Sequence, residues 1–319
     1  MPTRLIVRAL ASLTAVTAVA SPVAATMRLS SHRSVARAVA TAVAPPAAQA
    51  AAGPEAAAPV PSADVTRPVA HPSPGPAAAR RVVLYGDSLA WQAQGFFTAA
   101  LAGAGITQVT ARTFGGTAIC DWFSDMRADA AAIHPDAVVV EFSGNALTPC
   151  MRALDGSMLT GAAYFEKYAA DAATVLDIFT PGRTLVFFAG APISRGAERT
   201  NDPTTPTLHA VYAALAQSSR YGRYTDAGAA VLSGGRWSET LACLPGEPCT
   251  GGRDANGTPV NVVRAPDGAH FCPGAAAAVR GVTAGCAVWS SGSWRFGNAM
   301  AADLIRELAA SPSGGSDAG

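Results

Sequence analysis

Apolar and polar positions follow no helical or strand period over the first eighty residues, and both periods appear from Arg81 onward. Val82-Val83-Leu84-Tyr85 is an unbroken apolar run closed by Gly86, the pattern of a strand buried on both faces. A helix is predicted over 91–104, ended by Gly103 and Gly105. Strand-like positions follow over 108–113, then a helix over 122–133 that stops at His134-Pro135. The strongest strand is 137–142, AVVVEF. A long helix over 162–179 carries Tyr164, Phe165, Tyr168, Ala172, Val175, Leu176 and Phe179 at helical spacing, and Pro181-Gly182 ends it. Another apolar strand covers 184–189, a helix 208–217, and a weaker fifth strand 223–226; helices return from Gly274 and over 294–308. Strands alternating with helices predict a parallel sheet covered on both faces, with its chemistry beyond the carboxyl ends of the strands.

Composition shortens the foldable part of the 319 residues. The first eighty are dominated by Ala, Pro, Val and Ser, with Glu55 and Asp64 the only acids, and aromatic residues begin at Tyr85. Arg4 and Arg8 precede a mildly apolar run over 9–20 and the small residues Val23-Ala24-Ala25, so 1–25 reads as a secretory signal peptide. A start at Met27 keeps the export reading, with Arg28, Arg33 and Arg37 before the apolar 38–44. Residues 26–79, punctuated by Pro45-Pro46, Pro54, Pro59, Pro61, Pro68, Pro72, Pro74 and Pro76, read as a disordered Ala/Pro-rich linker. That leaves one domain over 80–310 and a disordered tail over 311–319. No later stretch approaches the roughly 20 apolar residues that span a bilayer, so a secreted or cell-surface monomer is expected. Heavy use of Ala and Arg, with Lys167 the single lysine, suggests a GC-rich bacterial coding sequence. The formal net charge of +1 gives no reason to expect nucleic acid as a partner.

The cysteines Cys120, Cys150, Cys243, Cys249, Cys272 and Cys286 all lie in the foldable part, and an even count in an exported chain suggests disulfides. Local spacing favours Cys243–Cys249 and Cys272–Cys286, leaving Cys120–Cys150, which would brace the loops after the second and third strands. With no C-x-x-C pair, His270-x-Cys272 does not make a tetrahedral site; no metal or cofactor is expected.

Gly86-Asp87-Ser88-Leu89 lies between the first strand and the first helix, where free backbone N–H groups can meet a developing oxyanion. Such a serine is more often a plain helix cap, so it needs a base. The foldable part contains His134, at a helix end, His209, in a polar helix start, and His270. The last lies in Pro266-Asp267-Gly268-Ala269-His270, where an aspartate three residues earlier can fold back onto the imidazole N–H. Phe114-Gly115-Gly116-Thr117 and Ser143-Gly144-Asn145 follow the second and third strands and offer further donors at the same edge; turn chemistry and a helix cap are the plainer explanations.

GDSL at 86–89, a glycine block at 115–117, an asparagine block ending at Asn145 and D-x-x-H at 267–270 resemble, in order and spacing, the SGNH/GDSL hydrolase superfamily over about 81–308. The resemblance implies a three-layer α/β/α sandwich with a central parallel, flavodoxin-like sheet. It also implies Ser88 as nucleophile, His270 as base oriented by Asp267, and an oxyanion hole from Ser88, Gly115 (preferred over Gly116) and Asn145. The third block departs from the superfamily's usual G-x-N-D, reading Ser143-Gly144-Asn145-Ala146. That variant, with nearby cysteines, is similar to SGNH domains linked to acyltransferases of bacterial surface polysaccharides.

The implied function is a secreted serine esterase acting on short acyl, above all O-acetyl, esters of small molecules or glycans through an acyl-enzyme. The alternatives are an acyltransferase moving the acyl group to or from cell-surface carbohydrate, and a non-catalytic glycan-binding protein on the same fold. The Gly- and Pro-rich stretch 227–267 reads either as a substrate-facing lid or as a plain surface insertion.

Overall fold

A computed structural model describes residues 80–272, 286 and 288–310. The expected signal peptide, linker, tail and helix from Gly274 lie outside the described residues.

Five strands make one parallel sheet: β1 (Arg81–Gly86), β2 (Gln108–Thr113), β3 (Ala137–Glu141), β4 (Leu185–Ala189) and β5 (Gly222–Thr225). Their order is β2-β1-β3-β4-β5, every neighbouring pair parallel. This is the doubly wound, flavodoxin-like order, and the direction of winding reverses between β1 and β3. The fold expected from the resemblance is therefore the fold of the chain.

Side chains alternate across the sheet and sort its two faces. Val83, Tyr85, Val138, Val140, Val186 and Phe188 pack with the helices α2 (Phe123–Ala132), α3 (Gly161–Phe179) and α5 (Thr204–Gln217). Val82, Leu84, Ala137, Val139, Phe187 and Ala189 face α1 (Ser88–Gly103) and α6 (Ser291–Ala310). Three layers result because each central strand has an apolar residue at nearly every position and must be covered twice. Among the described residues, no helix is long and apolar enough to cross a membrane.

Pattern reading passed over the short helix α4 (Arg195–Thr200), capped by the Ser194 hydroxyl, and two small antiparallel pairs: β6 (Leu232–Ser233) with β7 (Arg236–Trp237), and β8 (Thr240–Ala242) with β9 (Val260–Val262). The stretch read as a lid or an insertion is tied down. Its Glu247, fully buried, is ion-paired to buried Arg295 of α6 and accepts from Ser291 and Asn261. Such a pair resists opening, since parting it strands a charge away from water.

Candidate active site

The reversal point sets the site. β1 and β3 lie side by side, with the Asp87 N–H donating to Glu141 O at 3.2 Å, and beyond them the chain leaves in opposite directions. Asp87 caps α1: its Oδ1 accepts from the Leu89 N–H at 2.9 Å. Ser88, half-buried, is thereby the first residue of a 16-residue helix. Gly86 has no room for a side chain, because a Cβ there would lie 2.3 Å from that of Ala90 and 2.8 Å from Glu141 O.

The other half of the site is a turn. Ala265 N–H donates to His270 O at 2.7 Å and Gly268 N–H to Ala265 O at 2.9 Å. Gly268 has φ +77° and stands against Arg195, so a larger residue would be strained and crowded. Asp267 Oδ1 accepts from the Ala269 and His270 N–H groups at 2.8 and 3.0 Å, which presents Oδ2 to His270 Nδ1 at 2.7 Å. His270 Nε2 lies 2.8 Å from Ser88 Oγ across 182 positions of sequence. Burial raises the Asp267 carboxyl, but the His270 and Ala269 N–H groups and the imidazole outweigh it, so Asp267 is held below the usual carboxylate range. An ionised Asp267 accepts the hydrogen bond of the Nδ1–H, which fixes the tautomer with the proton on Nδ1 and leaves Nε2 as an acceptor for the serine hydroxyl.

The expected oxyanion donors fare unequally. Gly115 sits against Ser88: a Cβ on it would lie 3.7 Å from Ser88 Cβ, whereas Gly116, at φ +80°, faces open space. Asn145 comes to the same rim, but its amide nitrogen donates to Asp87 Oδ2 at 2.9 Å and Thr117 O at 3.1 Å. As placed, this amide ties the β3 loop to the β1 and β2 loops, and both of its hydrogens are engaged. The structure pairs Cys120–Cys150, Cys243–Cys249 and Cys272–Cys286. The first joins the loops after β2 and β3; the last begins two residues after His270. His134 and His209 stand apart from this group: His134 has φ +48° at the helix boundary, and His209 Nε2 lies 2.7 Å from Ala191 O.

Several supporting residues escaped the sequence reading. Tyr164 and Tyr168 of α3 donate to the carbonyls of Gly144 and Asn145, both at 2.8 Å, and Tyr212 of α5 to that of Phe142 at 3.2 Å. Gln92 of α1 accepts from the N–H groups of Phe271 and Cys272 at 2.8 and 3.1 Å. Trp237 Nε1 donates to Gly268 O at 2.9 Å and Arg195 to Pro266 O at 2.8 Å, with the guanidinium over the indole. Arg264, 1% exposed, donates to Ala269 O at 3.0 Å and to Ile193 O, while its Nε has no partner among the described residues. Burial lowers this guanidinium to about 10, against the opposing pull of Asp267, so it is charged at neutral pH.

A family model described as "Protein of unknown function (DUF459)" matches residues 81–282, more than half of the chain. No curated protein matches in sequence. Among solved structures, the chain is similar to a candidate acylhydrolase of Bacteroides fragilis (15% identity, 74% of this chain and 91% of that one, TM-score 0.43). It is also similar to a GDSL-like lipase of Bacteroides thetaiotaomicron (11% identity, 72% and 89%, TM-score 0.42). A third is an acetylxylan esterase of Geobacillus stearothermophilus, solved as a catalytic mutant (14% identity, 47% and 77%, TM-score 0.36). At these identities and scores the likeness says nothing of what this chain acts on; the fold follows from its own strand order.

Proposed function

The chain belongs to the DUF459 family, and from that premise we propose that it is an exported serine esterase of the SGNH/GDSL type. Ser88 is the nucleophile, His270 the general base and Asp267 the group that orients and supports the imidazole. One observation carries this reading: the unbroken series Asp267 Oδ2, His270 Nδ1, His270 Nε2, Ser88 Oγ, with links of 2.7 and 2.8 Å. His270 takes the hydroxyl proton as Oγ attacks the ester carbonyl, and returns it to the leaving alcohol. The N–H groups of Ser88 and Gly115 receive the oxyanion. Asn145 joins them only by giving up its bond to Thr117, and otherwise serves by holding Asp87.

Exposure of the site is in keeping with a hydrolytic second step. The His270 and Asp267 side chains are 35% and 53% exposed, so water reaches an acyl-enzyme readily. The substrate is a short acyl ester, with O-acetylated carbohydrate the leading class. A chain-length series of p-nitrophenyl esters tests this. Turnover should be highest for acetyl and fall by about 10⁴ or more in Ser88→Ala. Undiminished turnover in that variant would remove the reading. Product analysis with a polysaccharide acceptor separates hydrolase from transferase, because an acylated acceptor appears only in the second case.

A further inference from the structure

Beneath Ser88 lies a second titratable cluster that the proposed reaction does not use. Asp87 and Glu141 close the two central strands side by side, and both are fully buried. Their partners differ sharply. Asp87 accepts from four donors: the Leu89 N–H on Oδ1 at 2.9 Å, and on Oδ2 the Ser143 N–H at 2.8 Å, the Ser143 hydroxyl at 2.6 Å and the Asn145 amide at 2.9 Å. Glu141 accepts from one, the Ala90 N–H on Oε2 at 3.0 Å. Its Oε1 is buried without a partner among the described residues.

A buried carboxylate oxygen without a donor is costly, and two adjacent buried carboxylates cannot both stay ionised. One proton resolves both problems if it sits on Glu141, the member with few donors, and points at Asp87, the member with many. We propose that Glu141 is a positioning residue, a neutral carboxylic acid that donates to the Asp87 carboxylate and fixes the anion around which the start of the Ser88 helix and the Ser143–Asn145 loop are arranged. This rests on Ser88 being the nucleophile.

Electrostatics agree with the geometry. Burial pushes Glu141 well above the ordinary carboxyl range, and the charge and hydrogen bonding of Asp87 push it further, against the Ala90 N–H. Burial leaves Asp87 raised as well, although the Ser143 and Leu89 donors and His270 offset part of that rise, where Glu141 has only the Ala90 N–H to offset it. The other titratable groups facing the pair are Tyr164 and Tyr168 from α3, Tyr212 from α5 and His270. Burial raises all three tyrosines, which remain neutral. Because the folded-state value of Glu141 is raised, its stabilising contribution is complete below the ordinary 4.5 and is lost as pH rises toward the raised value.

The test compares the full chain with Glu141→Gln, which keeps a donor toward Asp87 but cannot ionise, and Glu141→Ala, which has none. The infrared carbonyl stretch of a protonated carboxylic acid should be present at neutral pH and vanish in Glu141→Gln. Turnover of p-nitrophenyl acetate should stay within a few-fold in Glu141→Gln and fall about 10–100-fold in kcat, with KM little changed, in Glu141→Ala. The wild-type protein should lose activity on the alkaline side where Glu141→Gln does not. A spectrum in which the acid band is missing, or Glu141→Gln as impaired as Glu141→Ala, overturns the proposal. If Glu141→Ala does not fold, the band and the pH profiles of the other two decide. If the wild-type protein turns over no ester, the esterase reading fails, while the band still decides the protonation of Glu141.

Discussion

The two halves of the site are built in opposite ways. The serine half grows out of the centre of the sheet: strand, one capping aspartate, helix, with two fully buried carboxyl groups underneath. The histidine half is a turn between irregular segments, with Asp267 and His270 facing solvent. It is held by the side chains of Arg264, Trp237, Arg195 and Gln92, all four bonded to backbone carbonyl or N–H groups. A group rooted in the sheet is placed by the fold itself, and a group on a turn is placed by its neighbours. Damage to neighbours should therefore fall unequally on the two halves, while on the proposed mechanism loss of the Ser88 hydroxyl or of the His270 imidazole should cost the same.

The strongest test of that last point removes the reacting groups together. Ser88→Ala and His270→Ala should each lower kcat/KM for a short ester by about 10⁴ or more, and the double variant should be no slower than the worse single one. Groups acting as one unit are lost once. Additive losses, measured by steady-state turnover, would mean that the hydroxyl and imidazole work separately despite their 2.8 Å separation.

An intermediate effect is expected at Arg264. Arg264→Met removes the bonds to Ile193 O and Ala269 O, and so frees the turn that carries His270 from the segment before α4. If His270 is the base proposed above, turnover should fall about 10–100-fold, mostly in kcat, because a displacement of the imidazole near 1 Å suffices for that loss. The midpoint of thermal unfolding should move little, since methionine also relieves the burial of a cation to which no carboxylate is bonded among the described residues. Equal activity in Arg264→Met and wild type would show that the turn holds its shape unaided, and the contrast between the halves would disappear.

What the sequence disclosed follows the same division. Buried parallel strands are continuous apolar runs, so β1, β3 and β4 stand out, and even the short β5 is marked at 223–226. The strand–turn–helix around Ser88 is local and legible. So is the fold-back of Asp267 onto His270, whose partners are three residues apart. Long-range side-chain to backbone bonds are not. Tyr164 and Tyr168 show in the pattern as part of an apolar helix face, which gives their burial correctly, but periodicity cannot reveal that their hydroxyls, like that of Tyr212, end on loop carbonyls. An arginine in a Gly- and Pro-rich stretch carries no signal of burial, and Arg264 is buried. α4, RGAERT, has no apolar stripe to announce it. Asn145 was legible as a residue of this rim, but the bonds that occupy its amide depend on Asp87 and Thr117, which lie on other loops.

The smallest effect sharpens the contrast most, because it touches neither reacting group nor any charge. Trp237→Phe keeps a ring beneath the Arg195 guanidinium and deletes one donor, the indole N–H on Gly268 O. A single neutral hydrogen bond contributes about 1 kcal/mol, so stability should fall by about that much. Gly268 lies between Asp267 and His270, and its carbonyl also accepts from the Arg195 N–H at 2.9 Å, so the turn stays held while its grip loosens on one side. Turnover should drop only a few-fold. The loss should deepen with temperature faster than that of the wild-type protein, since a turn fixed by separate outside contacts gives way contact by contact. Chemical denaturation and an activity–temperature series measure both. A Trp237→Phe protein as slow as Arg264→Met would make this bond, and not the buried arginine, the principal fastening of the histidine half.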